Sequence, residues 1–214
     1  MSETRTNALI EALAGEAEAV EPLRPPLRRA VATLAGLSVA AGAAVVAWSP
    51  LDPMAGADDR TRMGLELIAM LATGVLAVTG AFYLSIPGRS RRWMMAPLLP
   101  LAAWLALTGI GCLTAQASGP MEGDCFAFIL ATSLALGLPL AWALGRATPV
   151  DPLPVALLGA LGSAALAALV LQFFHPFAIT FLDLGMHVAA VAIVVGAAGL
   201  LNRRMLRVPG VTAR

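Results

Sequence analysis

Leu153–Phe174, LPVALLGALGSAALAALVLQFF, contains no charged residue. A helix needs about twenty predominantly apolar residues to cross the roughly 30 Å hydrocarbon core of a bilayer, so this stretch reads as a membrane span. Working outward from it, five more runs of the same kind appear at 30–48, 64–86, 94–113, 125–144 and 178–201. Lipid offers no partner for backbone N–H and C=O groups, which makes helix the default for each run. The composition agrees: 59% of residues are hydrophobic, the mean hydropathy is +0.82, and only 13% are charged, against about 25% in soluble domains. The fold class expected is all-α, a polytopic membrane protein built as a bundle of six transmembrane helices behind a short amphipathic N-terminal segment. Gly36, Gly42, Gly74, Gly80, Gly137, Gly159, Gly162, Gly196 and Gly199 are small residues of the kind that lets helices approach closely. Pro100 and Pro139 are predicted to kink the third and fourth spans.

Arginine placement sets the orientation. With six spans and a cytoplasmic N-terminus, Arg5, Arg24, Arg28, Arg29, Arg89, Arg91, Arg92, Arg146, Arg203, Arg204, Arg207 and Arg214 share one side, and Arg60 and Arg62 the other. The positive-inside rule therefore predicts that both termini are cytoplasmic. The chain divides into a cytoplasmic segment 1–29, a six-helix domain 30–201 and a basic cytoplasmic tail 202–214. The opening residues do not read as a signal peptide, being polar and acidic where a basic stub and an apolar core are required.

Within the N-terminal segment, Leu9, Ile10, Leu13 and Ala17 recur at helical spacing, with Glu11, Glu16 and Glu18 on other faces. This predicts a helix of about ten residues starting near Thr6 or Asn7. Isolated helices below about 12–15 residues are marginal in water, so this one is expected to order against a partner or the membrane surface. Its acidity argues against a lipid-surface helix, whose polar face is usually basic. Glu21-Pro22-Leu23-Arg24-Pro25-Pro26 then ends it.

The two cysteines, Cys112 and Cys125, bracket the turn between the third and fourth spans, on the side opposite the termini. They read as a redox- or metal-responsive pair at the membrane rim, as one plain structural disulfide, or as two unrelated buried thiols. His175 falls at the outer turn after the fifth span. Asp183 and His187 lie one helical turn apart on the sixth, and Glu66 lies near the outer start of the second. Ionisable residues at membrane depth are functional candidates by default; the competing reading of Asp183 and His187 is a hydrogen-bonded pair that fixes packing. By ligand softness Cys112, Cys125 and His175 suit zinc or copper, and the wider candidate set for metal is Cys125, His175, Asp183 and His187. Met63, Met121 and Met186 read as lining. The chain carries no phosphate-binding glycine loop, zinc-protease helix, nucleophile elbow or C-x-x-C motif. It is therefore expected not to be an enzyme, and a net charge of +1 gives no sign of direct nucleic-acid binding.

One family resemblance covers nearly the whole chain. Thr6 with Leu9-Ile10 and Leu13-Ala14, then Leu23-Arg24-Pro25-Pro26, then six helices, with Ser85-Ile86-Pro87-Gly88-Arg89 after the second and Cys125 at the start of the fourth, resembles the bacterial NrsF family of membrane anti-sigma factors. The resemblance implies a protein of the inner membrane whose cytoplasmic segment 1–29 sequesters an extracytoplasmic-function sigma factor until a redox or metal signal outside releases it. Leu9, Ile10 and Leu13 are then the apolar anchors, and Glu11, Glu16 and Glu18 the partners for basic sigma-factor surface. The family pattern has a second cysteine before the proline after the fifth helix, where this chain has Phe174-His175-Pro176. Three readings follow: Cys112 replaces that partner, Cys125 works with His175 on a metal such as zinc or copper, or this member senses something else. The alternative function is a small transporter or metal-binding membrane protein using Asp183, His187 and the outer cysteines.

Overall fold

Each of the six apolar runs folds as a helix. The computed structural model describes the backbone of residues 3–16, 22–48, 60–114, 124–174 and 181–205, and the side chains of 4–16, 22–48, 60–110, 126–174 and 184–201. In chain order the helices are α1 (Glu3–Glu16), α2 (Pro26–Trp48), α3 (Arg60–Leu84), α4 (Leu98–Thr114), α5 (Asp124–Gly145), α6 (Pro152–Leu171) and α7 (Phe181–Met205), with a short 3₁₀ turn at Arg91–Met94 before α4. No strand occurs among the described residues. Helices α2 to α7 supply six segments long and apolar enough to cross a membrane.

The start of α2 and the place of Pro100 turn on proline chemistry. Helix α2 begins at Pro26, four residues before the predicted start, because a proline at the first helical position gives up only an N–H that would have had no partner. Arg28 and Arg29 are thereby inside the helix. Pro100 is the third residue of α4, again in a first turn, so it removes no intrahelical bond and the predicted reason for a kink there is gone. Pro139 does lie inside α5. Helix α1 starts at Glu3 and runs 14 residues, longer than the spacing of its apolar residues suggested.

Helices α3 and α6 form the central pair and belong to two rings of four helices. One ring is α2, α3, α6 and α5; the other is α3, α4, α7 and α6. Helix α6 is apolar on every face, and all of its residues are buried or partly buried. Where it crosses α3, the two backbones come close: a Cβ at Gly162 would lie 2.7 Å from Val78 Cγ2 and 3.2 Å from Val78 N, and one at Gly74 would lie 2.8 Å from Leu166. Gly36, Gly42 and Gly196 face open space and mark no such approach. The first ring is filled by Ala30, Ala77, Phe82, Leu140, Leu144 and neighbours. The second is filled by Ala69, Met70, Trp104, Ala165 and Ala168, with Leu101, Leu169 and Val191 against them.

The turn between α3 and α4 is held by its own residues. Ser85 Oγ donates to the Phe82 carbonyl at 2.7 Å, Gly88 takes φ +78°, and the Tyr83 and Trp93 rings stack 4.2 Å apart. The serine and glycine of Ser85-Ile86-Pro87-Gly88 thus have direct structural work: one ties the turn back to α3, the other takes a left-handed conformation that costs a Cβ-bearing residue about 1–2 kcal/mol. Arg91 bridges to Asp151 at 3.0 Å, joining this turn to the one between α5 and α6. Exposed pairs of this kind contribute about 1 kcal/mol at most.

Candidate functional site

Two regions carry the residues singled out by sequence, one at each end of the chain's path through the bundle. The first is α1. All its described side chains, Thr4 to Glu16, are exposed. Leu9, Ile10 and Leu13 keep 57%, 58% and 59% of their surface open, and their spacing puts them on one face. Glu11 and Glu16 are exposed beside them. Ala17 and Glu18 lie outside the described residues. A helix this short with no packed face has little tertiary stabilisation of its own, so its apolar stripe is available to a partner.

The second region lies at the bundle end that carries Arg60 and Arg62. Cys112 sits in the last turn of α4 and Cys125 is the second residue of α5; their side chains lie outside the described residues, as do His175 and the Asp183 side chain. The helices bearing the two cysteines are not a packed hairpin: α4 lies mainly against α3 and α7, and α5 mainly against α6 and α7. Phe174, next to His175, has its ring 5.3 Å from that of Phe128 on α5, which brings the chain leading into His175 beside the first turn of the helix that starts with Asp124 and Cys125. Among the described residues, no group of three or more His, Cys, Asp or Glu is placed to hold a metal ion.

The described helices do bring together a set that the sequence hid. Met70, Trp104, Ala168 and Val191 share one apolar cluster in the ring of α3, α4, α6 and α7. One helical turn further toward the Arg60 end stand Glu66, Thr108, Gln172 and His187, each four residues from its cluster member. The register of all four helices therefore sets a polar layer on top of an apolar one. Glu66, Thr108 and Gln172 are buried and His187 is partly so. Glu66 Oε1 accepts from Arg62 Nη1 at 2.6 Å, while Glu66 Oε2 and Thr108 Oγ1 are buried without a partner among the described residues. Buried polar atoms are normally satisfied, by protein or by ordered water. Sequence reading found Glu66 and His187 as ionisable residues in spans; it passed over Thr108 and Gln172, whose only signal is a spacing of four from Trp104 and Ala168.

Residues 13–208 match a family model described as "Negative regulator of sigma F", NrsF. The chain belongs to the NrsF family. No curated protein matches the chain, and neither does any solved structure. The match takes in all six apolar helices and the connecting turns, including Ser85–Gly88 and the segment Leu23–Pro26. Membership gives the chain an anti-sigma factor role within a regulatory family, and with it a sigma factor as partner. Only the last residues of α1 fall inside the match, so Leu9 and Ile10 stand on their exposure and spacing rather than on membership.

Proposed function

We propose that this NrsF-family protein is an inner-membrane anti-sigma factor that holds an extracytoplasmic-function sigma factor through α1 and lets it go when a redox or metal signal acts at the opposite face. The reading is carried by the exposed stripe of Leu9, Ile10 and Leu13 on a helix without packing partners of its own. An amphipathic helix laid into a hydrophobic groove is a recurrent recognition mode in which such anchors supply most of the affinity. Glu11, Glu16 and Glu18 complement basic surface on the partner. The arginine distribution supports cytoplasmic placement of both termini, which puts α1 where a sigma factor is found and places Cys112, Cys125, His175, Asp183 and His187 on the exterior side. There the cysteines, with His175, suit thiol oxidation or binding of zinc or copper. Catalysis has no part in this reading.

Deletion of residues 2–22 tests it. The bundle should still insert, the sigma factor should no longer co-purify, and the target genes should be derepressed. Retention of the sigma factor by the truncated chain would remove α1 from the mechanism.

The polar layer around Glu66 favours a second reading, a small carrier. Purified protein in vesicles separates the two: uptake or efflux without any cytoplasmic partner supports the carrier, and a stoichiometric protein retained through residues 1–29 supports the anti-sigma factor.

A further inference from the structure

The C-terminal end of α5 shows an unusual division of labour. The last four carbonyls of any helix lack intrahelical donors and must find others. For α5 these belong to Trp142, Ala143, Leu144 and Gly145. Three are served locally: Arg146 N donates to Trp142 O at 3.3 Å, Ala147 N to Leu144 O at 3.1 Å, and Thr148 N to Gly145 O at 3.0 Å. The fourth, Ala143 O, accepts from Arg29 Nη2 at 2.8 Å. Arg29 belongs to α2, whose contact with α5 is otherwise sparse. Its guanidinium also lies 5.0 Å from the centre of the Phe82 ring near the end of α3, so one side chain joins three helices. A cation at a helix C-terminus is favoured by the aligned peptide dipoles, and a planar guanidinium that stacks while it donates has no equivalent in lysine.

Where this bond falls gives it meaning. Arg29 is the fourth residue of α2, and immediately before α2 comes Pro22-Leu23-Arg24-Pro25, a proline-rich link of the semi-rigid kind. Beyond that link is α1. On the other partner, Ala143 sits one turn past Pro139, whose missing N–H leaves the Ala135 carbonyl without its helical donor. The far end of α5 begins at Asp124 and Cys125.

We infer that Arg29 is a positioning residue for the α1 tether: by capping α5 it fastens the tether's root to that helix, so that a displacement of the end of α5 is also a displacement of the root. This rests on the tether reading of α1 for its biological use, but the fastening itself is a physical coupling that can be measured without a sigma factor. Lying between two sites is no evidence of coupling; an element whose position changes when the link is cut is.

The test uses the full chain in lipid nanodiscs with C112A and C125A, and spin labels introduced through R24C at the root and V150C just beyond α5. With Arg29 present, the distance distribution between the labels should be narrow. R29A should broaden it, R29K should fall between because one donor remains without the stacked fork, and R28A, which alters an exposed neighbour, should leave it narrow. A distribution unchanged by R29A, or broadened as much by R28A, overturns the inference. If R29A does not assemble, R29Q, which keeps a donor without the charge, is read by the same criterion. Sigma-factor pull-down runs alongside: R29A should retain the partner and deletion of 2–22 should lose it. Retention by the deletion mutant refutes the tether reading and leaves the distance result to decide the fastening.

Discussion

Glu66 and Arg62 are an unequal pair, and the inequality sets what their substitution does. The carboxylate is enclosed by the bundle, whereas the guanidinium lies one turn nearer the helix start and is partly exposed. Removing the arginine strands a buried charge; removing the charge of the carboxylate leaves an arginine whose stem can carry its head to the membrane surface. R62A should therefore lower stability by about 3–5 kcal/mol, the usual range for breaking a buried pair, and E66Q by clearly less. Thermal unfolding in detergent compares them, and equal losses would mean that the pair is not what holds this end of α3. Thr148 offers the opposite sign. It takes φ +40°, a region that costs an L-residue about 1–2 kcal/mol, and its backbone N–H, not its side chain, serves Gly145. T148G should raise the melting temperature; a lower one would show that the threonine side chain has a role of its own there.

At the scale of the helix, what could be read from sequence was whatever depends on a single segment. Leu153–Phe174 announces a span because no charge interrupts it, and Leu9, Ile10 and Leu13 announce a stripe because they are near in sequence. Three kinds of feature escaped for the same reason, that their partners are far apart along the chain. Gly162 and Gly36 look alike in the sequence, each a glycine in an apolar run, yet only Gly162 meets a neighbouring backbone. G162V should accordingly destabilise the α3–α6 crossing by about 1–3 kcal/mol, the usual cost of overpacking, while G36V should be close to neutral. Similar losses from both, measured as thermal stability in detergent, would contradict the close approach. The polar layer escaped likewise: Thr108 and Gln172 gain significance only once four helices are in register with Glu66 and His187. Arg29 was legible as a positive charge at the mouth of a span, and its bond to Ala143, more than a hundred residues away, was not.

For the molecule as a whole, the proposed mechanism stands on which end faces which compartment. Both halves of the mechanism depend on it, because α1 needs a cytoplasmic partner and the thiols need an environment in which their oxidation state can change. The positive-inside bias is spread over the N-terminal segment, the α3–α4 turn, the α5–α6 turn and the C-terminal tail, so no single loop decides it. Neutralising Arg89, Arg91 and Arg92 together should therefore leave the orientation unchanged, since the remaining arginines on that side still outnumber Arg60 and Arg62. The chain supplies its own probes, having only Cys112 and Cys125. After reduction, a membrane-impermeant maleimide applied at the periplasmic face of spheroplasts should label them in both the native chain and the triple variant, with C112A and C125A each reducing the signal. A fluorescent protein fused at the C-terminus should fold inside. Labelling seen only after the membrane is broken, while the reagent modifies a known periplasmic thiol in the same cells, would invert the arrangement and separate α1 from any sigma factor. Loss of labelling in the triple variant alone would place the orientation in the α3–α4 turn, against the distributed bias.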